Sequence, residues 1–120
     1  MESILPLLEG VYYLATVEGD QPRVRPFDNA TIKDGKLYIG TTSDKAVYKQ
    51  ILDNPKVEIF AMGARGTIRI SAEAYPVEDP ELNREVYEDM GKDSDAENIA
   101  ALELKNIKGF IKTPTGTTEF

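Results

Sequence analysis

The chain has 120 residues, 41% of them hydrophobic, enough for one domain that buries roughly two-thirds of its unfolded surface without a metal or disulfide. It contains no cysteine and no histidine, which excludes disulfides, thiolate chemistry, imidazole acid-base catalysis, axial haem ligation by histidine and most zinc sites. Its formal charge of −7, from 21 acidic and 14 basic residues, opposes general affinity for nucleic acid or an anionic membrane.

In chain order, "SILPLLE" predicts one or two turns of helix capped by Ser3 and ended by Gly10. "VYYLATVEG", rich in β-branched and aromatic residues, reads as a strand, and "EGDQP" as the turn that follows. "RVRPFDNATIK" reads as a second strand in which Pro26 removes a ladder donor, implying an edge, a bulge or a ligand in place of a neighbour. "KDGK" is a tight turn and "LYIGTT" the next strand. Ser43 or Asp44 then offers an N-cap for a helix over "KAVYKQILDN", which Asn54-Pro55 stops. "KVEIFAMG" and "TIRISAEAYPVED" are two strands joined by a "GARG" hairpin, with Ile68, Ile70 and Ala72 on one face and Arg69, Ser71 and Glu73 on the other.

Asp79-Pro80 opens an acidic helix, "ELNREVYEDMG", with Leu82, Val86 and Met90 at intervals of four. "KDSDAEN" is a polar loop or helix start, and "ALELKNIKGFIKTPTGTTEF" a closing strand with Gly116 at a turn near its end. Eleven acids between Glu73 and Glu103, against Arg84 and Lys92, predict a solvated face there. Six strands with a helix between the third and fourth point to a mainly β fold, a small six-stranded antiparallel β-barrel with a few short helices. No apolar run approaches the roughly 20 residues of a membrane helix, and "MESILPLLEG" lacks the features of a signal peptide, so a cytoplasmic protein is expected.

Charge is unevenly distributed. From Arg23 to Gln50 there are six basic and three acidic residues, a local +3 that leaves −10 for the rest of the chain. Arg23 and Arg25, two apart on one strand, share a face, and adjacent guanidiniums repel unless an anion joins them. Thr41, Thr42 and Ser43 stand where a strand passes into a helix, beside Lys45, and Lys49 lies one turn further along the same helical face. Together these pieces describe a phosphate-sized pocket. Taken singly, the arginines also fit a solvated strand face and "TTSD" an ordinary helix cap.

"YYLATVEGDQPRVRPF", "GKLYIGTTSDKAVYKQI", "NPKVEIFAM" and "IRISAEA", in this order, resemble the pyridoxamine 5′-phosphate oxidase-like, FMN-binding split-barrel family, and in particular its small single-domain members. The resemblance covers roughly residues 2 to 88 and continues more weakly through the last strand. It implies a homodimer of six-stranded split barrels with FMN at the subunit interface. It further implies that Arg23, Arg25, Pro26 and Phe27 lie along the flavin, that Thr41, Thr42, Ser43 and Lys45 form its phosphate turn, and that Lys49 and Gln50 lie near it, with Gln50 reaching polar ring atoms. Arg69 is expected to reach the partner's site.

The chain departs from the family's pattern at several positions. Thr67 and Ile68 stand where relatives often have a tryptophan before the arginine, Asp28 where they often have glycine, and Ser71-Ala72 where they often have Ser-Gly. The function implied is an FMN-dependent oxidoreductase that passes hydride or electrons between its flavin and a small-molecule donor or substrate, with no metal and no assigned catalytic side chain. A non-catalytic flavin- or anion-binding module of the same fold is the alternative, and a deazaflavin an alternative ligand.

Overall fold

The computed structural model describes residues 2 to 120. The expected short N-terminal helix is a single 3-10 turn, Leu5–Leu8, with Pro6 in its first turn; no side chain caps it, so Ser3 does not take the role the sequence suggested. Eight strands follow: β1 (Tyr12–Glu18), β2 (Gln21–Phe27), β3 (Thr31–Lys33), β4 (Lys36–Thr42), β5 (Lys56–Gly63), β6 (Gly66–Pro76), β7 (Ile99–Thr113) and β8 (Gly116–Glu119). Helix α1 (Ala46–Asp53) lies between β4 and β5, and α2 (Pro80–Asp89) between β6 and β7.

The expected count of six strands is therefore corrected to eight. The segment "RVRPFDNATIK" divides in two because Asp28, Asn29 and Ala30 leave the ladder and cross from β2 to β3. The chain's last residues add a second strand, because Thr113 and Gly116 pair across a tight turn.

Every pairing is antiparallel, in the order β2-β1-β5-β6-β7-β4-β3, with β8 on β7. The long strand β7 governs the curl. It pairs with β4 through Ile99–Leu104, with β6 along most of its length and with β8 near its end. Its register against β6 slips between Ser71 and Glu73, so Ala72 faces both Asn106 and Ile107, with Asn106 left-handed at φ 55°. An extra residue in one strand bends it and increases its twist.

The inward faces meet in one core of Tyr12, Leu14, Leu37, Ile39, Ile59, Ile68, Ile70, Leu102 and Leu104, closed by Val47 and Ile51 of α1. The ladder does not close into a continuous barrel. Its two ends, β2 and β3, are instead linked through Asn29: the Tyr12 hydroxyl donates to the Asn29 carbonyl at 2.6 Å, and the Gly40 N–H donates to Asn29 Oδ1 at 2.7 Å. The barrel is split along this seam.

Helix α2 begins as expected, with Asp79 accepting from the Glu81 N–H at 2.9 Å and Pro80 in the first turn. Its buried face, Val86 and Tyr87, packs with Tyr38 and Ala101 in a second small core. Asn83 anchors it by donating to the Ile99 carbonyl at 2.9 Å and accepting from the Ala101 N–H at 2.6 Å. Among the described residues, no helix is long and apolar enough to cross a membrane.

The outward face of the sheet is uneven. Register places Pro26, Tyr13, Phe60, Arg69 and Phe110 side by side across five strands. Near them Val11, just before β1, and Tyr13, Val24 and Met62 of β1, β2 and β5 are 57%, 48%, 68% and 74% exposed, an apolar area on the sheet's outer side.

At Gly109 (φ +138°), an added Cβ would stand 2.2 Å from the Arg69 carbonyl oxygen and 2.7 Å from Ile70 Cα. Backbone, not a flexible side chain, is in the way. Gly109→Ala is expected to lower unfolding free energy by about 3 kcal/mol in urea titrations, from steric overlap and the left-handed backbone together. Gly63→Ala, where nothing lies within 4 Å, is the control and should change it by less than about 1 kcal/mol.

Candidate functional site

The register of β2 with β1 sets Arg23 opposite Thr16 and Arg25 opposite Leu14, and of the two only Arg25 is drawn inward. Along β1, Tyr12, Leu14 and Thr16 all point to the core, so a polar residue occupies the third place of an apolar stripe. Thr16 is buried because it has partners there. Arg25 Nη1 donates to Thr16 Oγ1 at 2.7 Å and to the Leu14 carbonyl at 3.3 Å, while Nη2 donates to Gln50 Oε1 at 2.6 Å. Thr16 Oγ1 donates to the same Gln50 oxygen at 2.5 Å. Gln50 comes from α1 and is itself buried. A guanidinium only donates, so its contact fixes which end of the Gln50 amide faces it.

Burial first, and the neighbouring Arg23 second, pull the Arg25 guanidinium below its usual value. Of its five N–H groups these contacts engage three. Arg23 behaves differently. It extends to Glu18, with Nε and Nη2 both 2.9 Å from Oε1, on the exposed surface. The adjacent like charges are thus separated by one being drawn inward to hydroxyl and amide oxygens and the other outward to a carboxylate.

Beside Arg25 a cleft of about 120 Å³ opens at the split between β2 and β4. Arg25, Pro26 and Phe27 form its β2 wall, Thr41 its β4 wall, and Lys45 and Val47 its α1 end. Helix α1 starts after Lys45 with no side-chain cap and no acidic residue in its first turn. The expectation that Ser43 or Asp44 caps it is corrected here. The Thr42 hydroxyl and the Asp44 backbone N–H hold the Asp44 carboxyl below the usual carboxylate range, and that carboxyl makes no cap to α1. The first N–H groups of α1 therefore have no side-chain acceptor, beside an exposed lysine.

Among the residues singled out in the sequence, Arg25, Pro26, Phe27, Thr41 and Lys45 come together on this cleft, and Gln50 stands behind it as the support of Arg25. Its Oε1 accepts from Arg25 and Thr16. Thr42 and Ser43 lie beyond the lining, with the Ser43 N–H donating to the Asn98 carbonyl at 2.8 Å. Lys49 is exposed and outside it. Arg69 is on the outward face of β6, its guanidinium 5.6 Å from the centre of the Phe60 ring. It is not in this chain's own cleft.

Three contributors escape the sequence reading. Thr16 had a signal, a hydroxyl at an inward position of an alternating strand. Asn29, which links the two sides of the split, looks like any loop residue. Tyr87 of the acidic helix backs the cleft: its hydroxyl donates to the Thr41 carbonyl, and its ring and Met90 lie against Gly40, where a Cβ would be 2.8 Å from Met90 Cε. Asp28 completes the mouth, 3.5 Å from Lys92 Nζ.

The donor set of two cations and uncapped helix N–H groups fits a phosphate. A volume of about 120 Å³ is well under the roughly 300 to 1,000 Å³ of pockets that enclose a whole cofactor. One chain thus offers room for an anionic head group, and a bulkier remainder has to lie outside the cleft.

Residues 5–110 match the pyridoxamine 5′-phosphate oxidase family. Among solved structures, a NimC/NimA family protein from Clostridium acetobutylicum is 36% identical, with a TM-score of 0.87 over 100% of this chain and 93% of that one. General stress protein 26 from Bacillus anthracis is similar in fold at 18% identity, with a TM-score of 0.72 over 99% and 97% of the two chains. HutZ, the haem storage protein from Vibrio cholerae, is likewise similar at 18% identity, with a TM-score of 0.71 over 93% and 94%. No curated protein matches. With the match spanning most of the chain and the split antiparallel barrel present, the chain belongs to the pyridoxamine 5′-phosphate oxidase-like family.

Proposed function

We propose that the protein is an FMN-binding oxidoreductase that works as a homodimer. The observation that carries this reading is the convergence of Arg25, braced by Thr16 and Gln50, with Lys45 and the uncapped start of α1 on one phosphate-sized cleft. Bound FMN would supply hydride or single-electron transfer to a small-molecule donor or substrate. The chain's own task is to hold and orient. Arg25 and Lys45 take the phosphate charge. Gln50 and Thr16 keep the guanidinium from turning away. Pro26 offers no N–H that would compete for a ligand acceptor.

Dimerisation supplies what the small cleft lacks. The apolar area formed by Val11, Tyr13, Val24 and Met62 is the natural cover for a second copy, since monomers rarely leave such patches open. A twofold pair would set one subunit's Arg69 and Phe60 near the other's cleft mouth and enclose the flavin ring there. Haem ligation by histidine or cysteine is excluded by the sequence, which contains neither residue.

Arg25→Ala combined with Lys45→Ala is expected to weaken FMN binding at least 100-fold in fluorescence titrations, while riboflavin, which lacks the phosphate, changes less than about threefold. Equal losses for both ligands would remove the phosphate role. Gln50→Leu leaves the guanidinium without one of its braces and should cost about 10-fold in FMN affinity and about 1 to 3 kcal/mol in unfolding free energy. Sedimentation should show a dimer that Tyr13→Asp with Met62→Asp converts to monomer. If wild type sediments as a monomer at all concentrations, the dimer reading fails. Reduction of the bound flavin by NAD(P)H, or by light with a donor, followed by transfer to an acceptor, separates an oxidoreductase from a passive carrier; flavin inert to every donor would leave only the binding function.

A further inference from the structure

Away from the cleft, alternation puts Arg69, Ser71, Glu73 and Tyr75 in succession on the outer face of β6, and register sets further charges beside them. Lys56 of β5 and Lys105 of β7 stand opposite Glu73, while Glu58 and Lys108 stand opposite Ser71. Unlike charges directly opposed on a sheet face attract one another and readily close into ion pairs. Here they do not: among the described residues, none of Lys56, Lys105 and Lys108 forms an ion pair. Glu73 is instead held by the Tyr75 hydroxyl, which donates to its carboxylate, and Lys105 lies over the Tyr75 ring, 5.5 Å from its centre. The bulge at Asn106 interrupts the β6–β7 ladder at the same place, between Ser71 and Glu73. A cavity of about 440 Å³ opens there, within the roughly 300 to 1,000 Å³ of small-molecule pockets, and Lys56, Ser71, Glu73, Asn106 and Lys108 are its polar lining.

We propose that this cavity binds the zwitterionic head of a small α-amino acid, its carboxylate taken by Lys56 and Lys108 and its ammonium by Glu73. The lining has both signs of charge, so a simple anion would meet the Glu73 carboxylate and a simple cation the two lysines. A ligand carrying both charges satisfies all three. The Tyr75 hydroxyl, with lesser help from Asn106, Lys56 and Lys108, outweighs desolvation and holds the Glu73 carboxyl below the usual carboxylate range, which keeps it ionised toward an ammonium at neutral pH. The Ser71 hydroxyl and the Asn106 amide add neutral hydrogen-bonding groups beside the charged ones. The site shares no residue with the cleft between β2 and β4 and does not depend on the flavin reading.

The test follows backbone amide chemical shifts of the protein during titration with glycine and L-leucine, and with acetate and methylamine, which carry the two charges of glycine separately. Both amino acids should move the amides of Ser71, Glu73, Asn106 and Lys108, binding at least about fivefold more tightly than acetate or methylamine. Lys108→Met should weaken both amino acids about fivefold, and Glu73→Gln should abolish their advantage over acetate. Acetate or methylamine binding as tightly as glycine would make the cavity an unspecific charged surface and overturn the proposal. So would amides at these positions that neither amino acid moves. These comparisons use the wild type alone and stand even if a variant fails to fold.

Discussion

A guanidinium carried on the inward face of an edge strand has to be satisfied, and the way Arg25 is satisfied organises the cleft-bearing side of this protein. Its three contacts belong to β1 and α1, so one side chain ties the edge strand β2 to its neighbour and to the helix that plugs the barrel. Hydrogen bonds to a charged group are worth about 1.5 to 3 kcal/mol each, well above the fraction of a kcal/mol of an exposed pair such as Arg23 with Glu18. The two arginines look equivalent in the sequence. Their environments make one a braced, cleft-lining group and the other a surface charge.

Around that anchor the split does the rest. Because β2 and β3 do not pair, the seam is spanned by Asn29, which bonds Tyr12 of β1 and Gly40 of β4, and a cleft remains where a closed ladder would have left none. Helix α2, acidic on its exposed side, seals the back of the seam through Tyr87 and Met90 against Gly40. The absence of a side chain at residue 40 lets the helix approach that closely. The sheet's curl, set by the bulge at Asn106, turns the apolar inner faces onto one another and leaves a second apolar area outside.

Much of this was legible in the sequence. Alternation located the long strands, and Asp79-Pro80 marked the start of α2 correctly. That Arg23 and Arg25 share a strand face followed from periodicity, but the register that sets Arg25 opposite Leu14, and the diagonal reach of its guanidinium to Thr16, are long-range properties. The division of residues 23 to 33 into two strands escaped because Asp28 to Ala30 carry no glycine or proline to mark a break. The uncapped start of α1 escaped for a subtler reason: Ser43 and Asp44 have the right chemistry for a cap, and only the local competition from Thr42 and the Asp44 N–H shows that Asp44 is used otherwise. The position of Arg69 on the outward face was readable from alternation; its separation from the cleft of its own chain was not.

The two prolines of β2 have a further consequence. A proline inside a paired strand is tolerated where its missing N–H would face away from the partner strand, which here places the missing donors at Pro22 and Pro26 on the free edge. That edge is therefore a poor template for strand addition. Another unpaired end of the sheet, β3, has only three residues, and the β8 hairpin strand four. Short or donor-poor edges are how sheet proteins avoid runaway edge-to-edge growth into aggregates. A split barrel would otherwise invite that growth, and here the opening is made safe against it by the same strand that supplies the arginine.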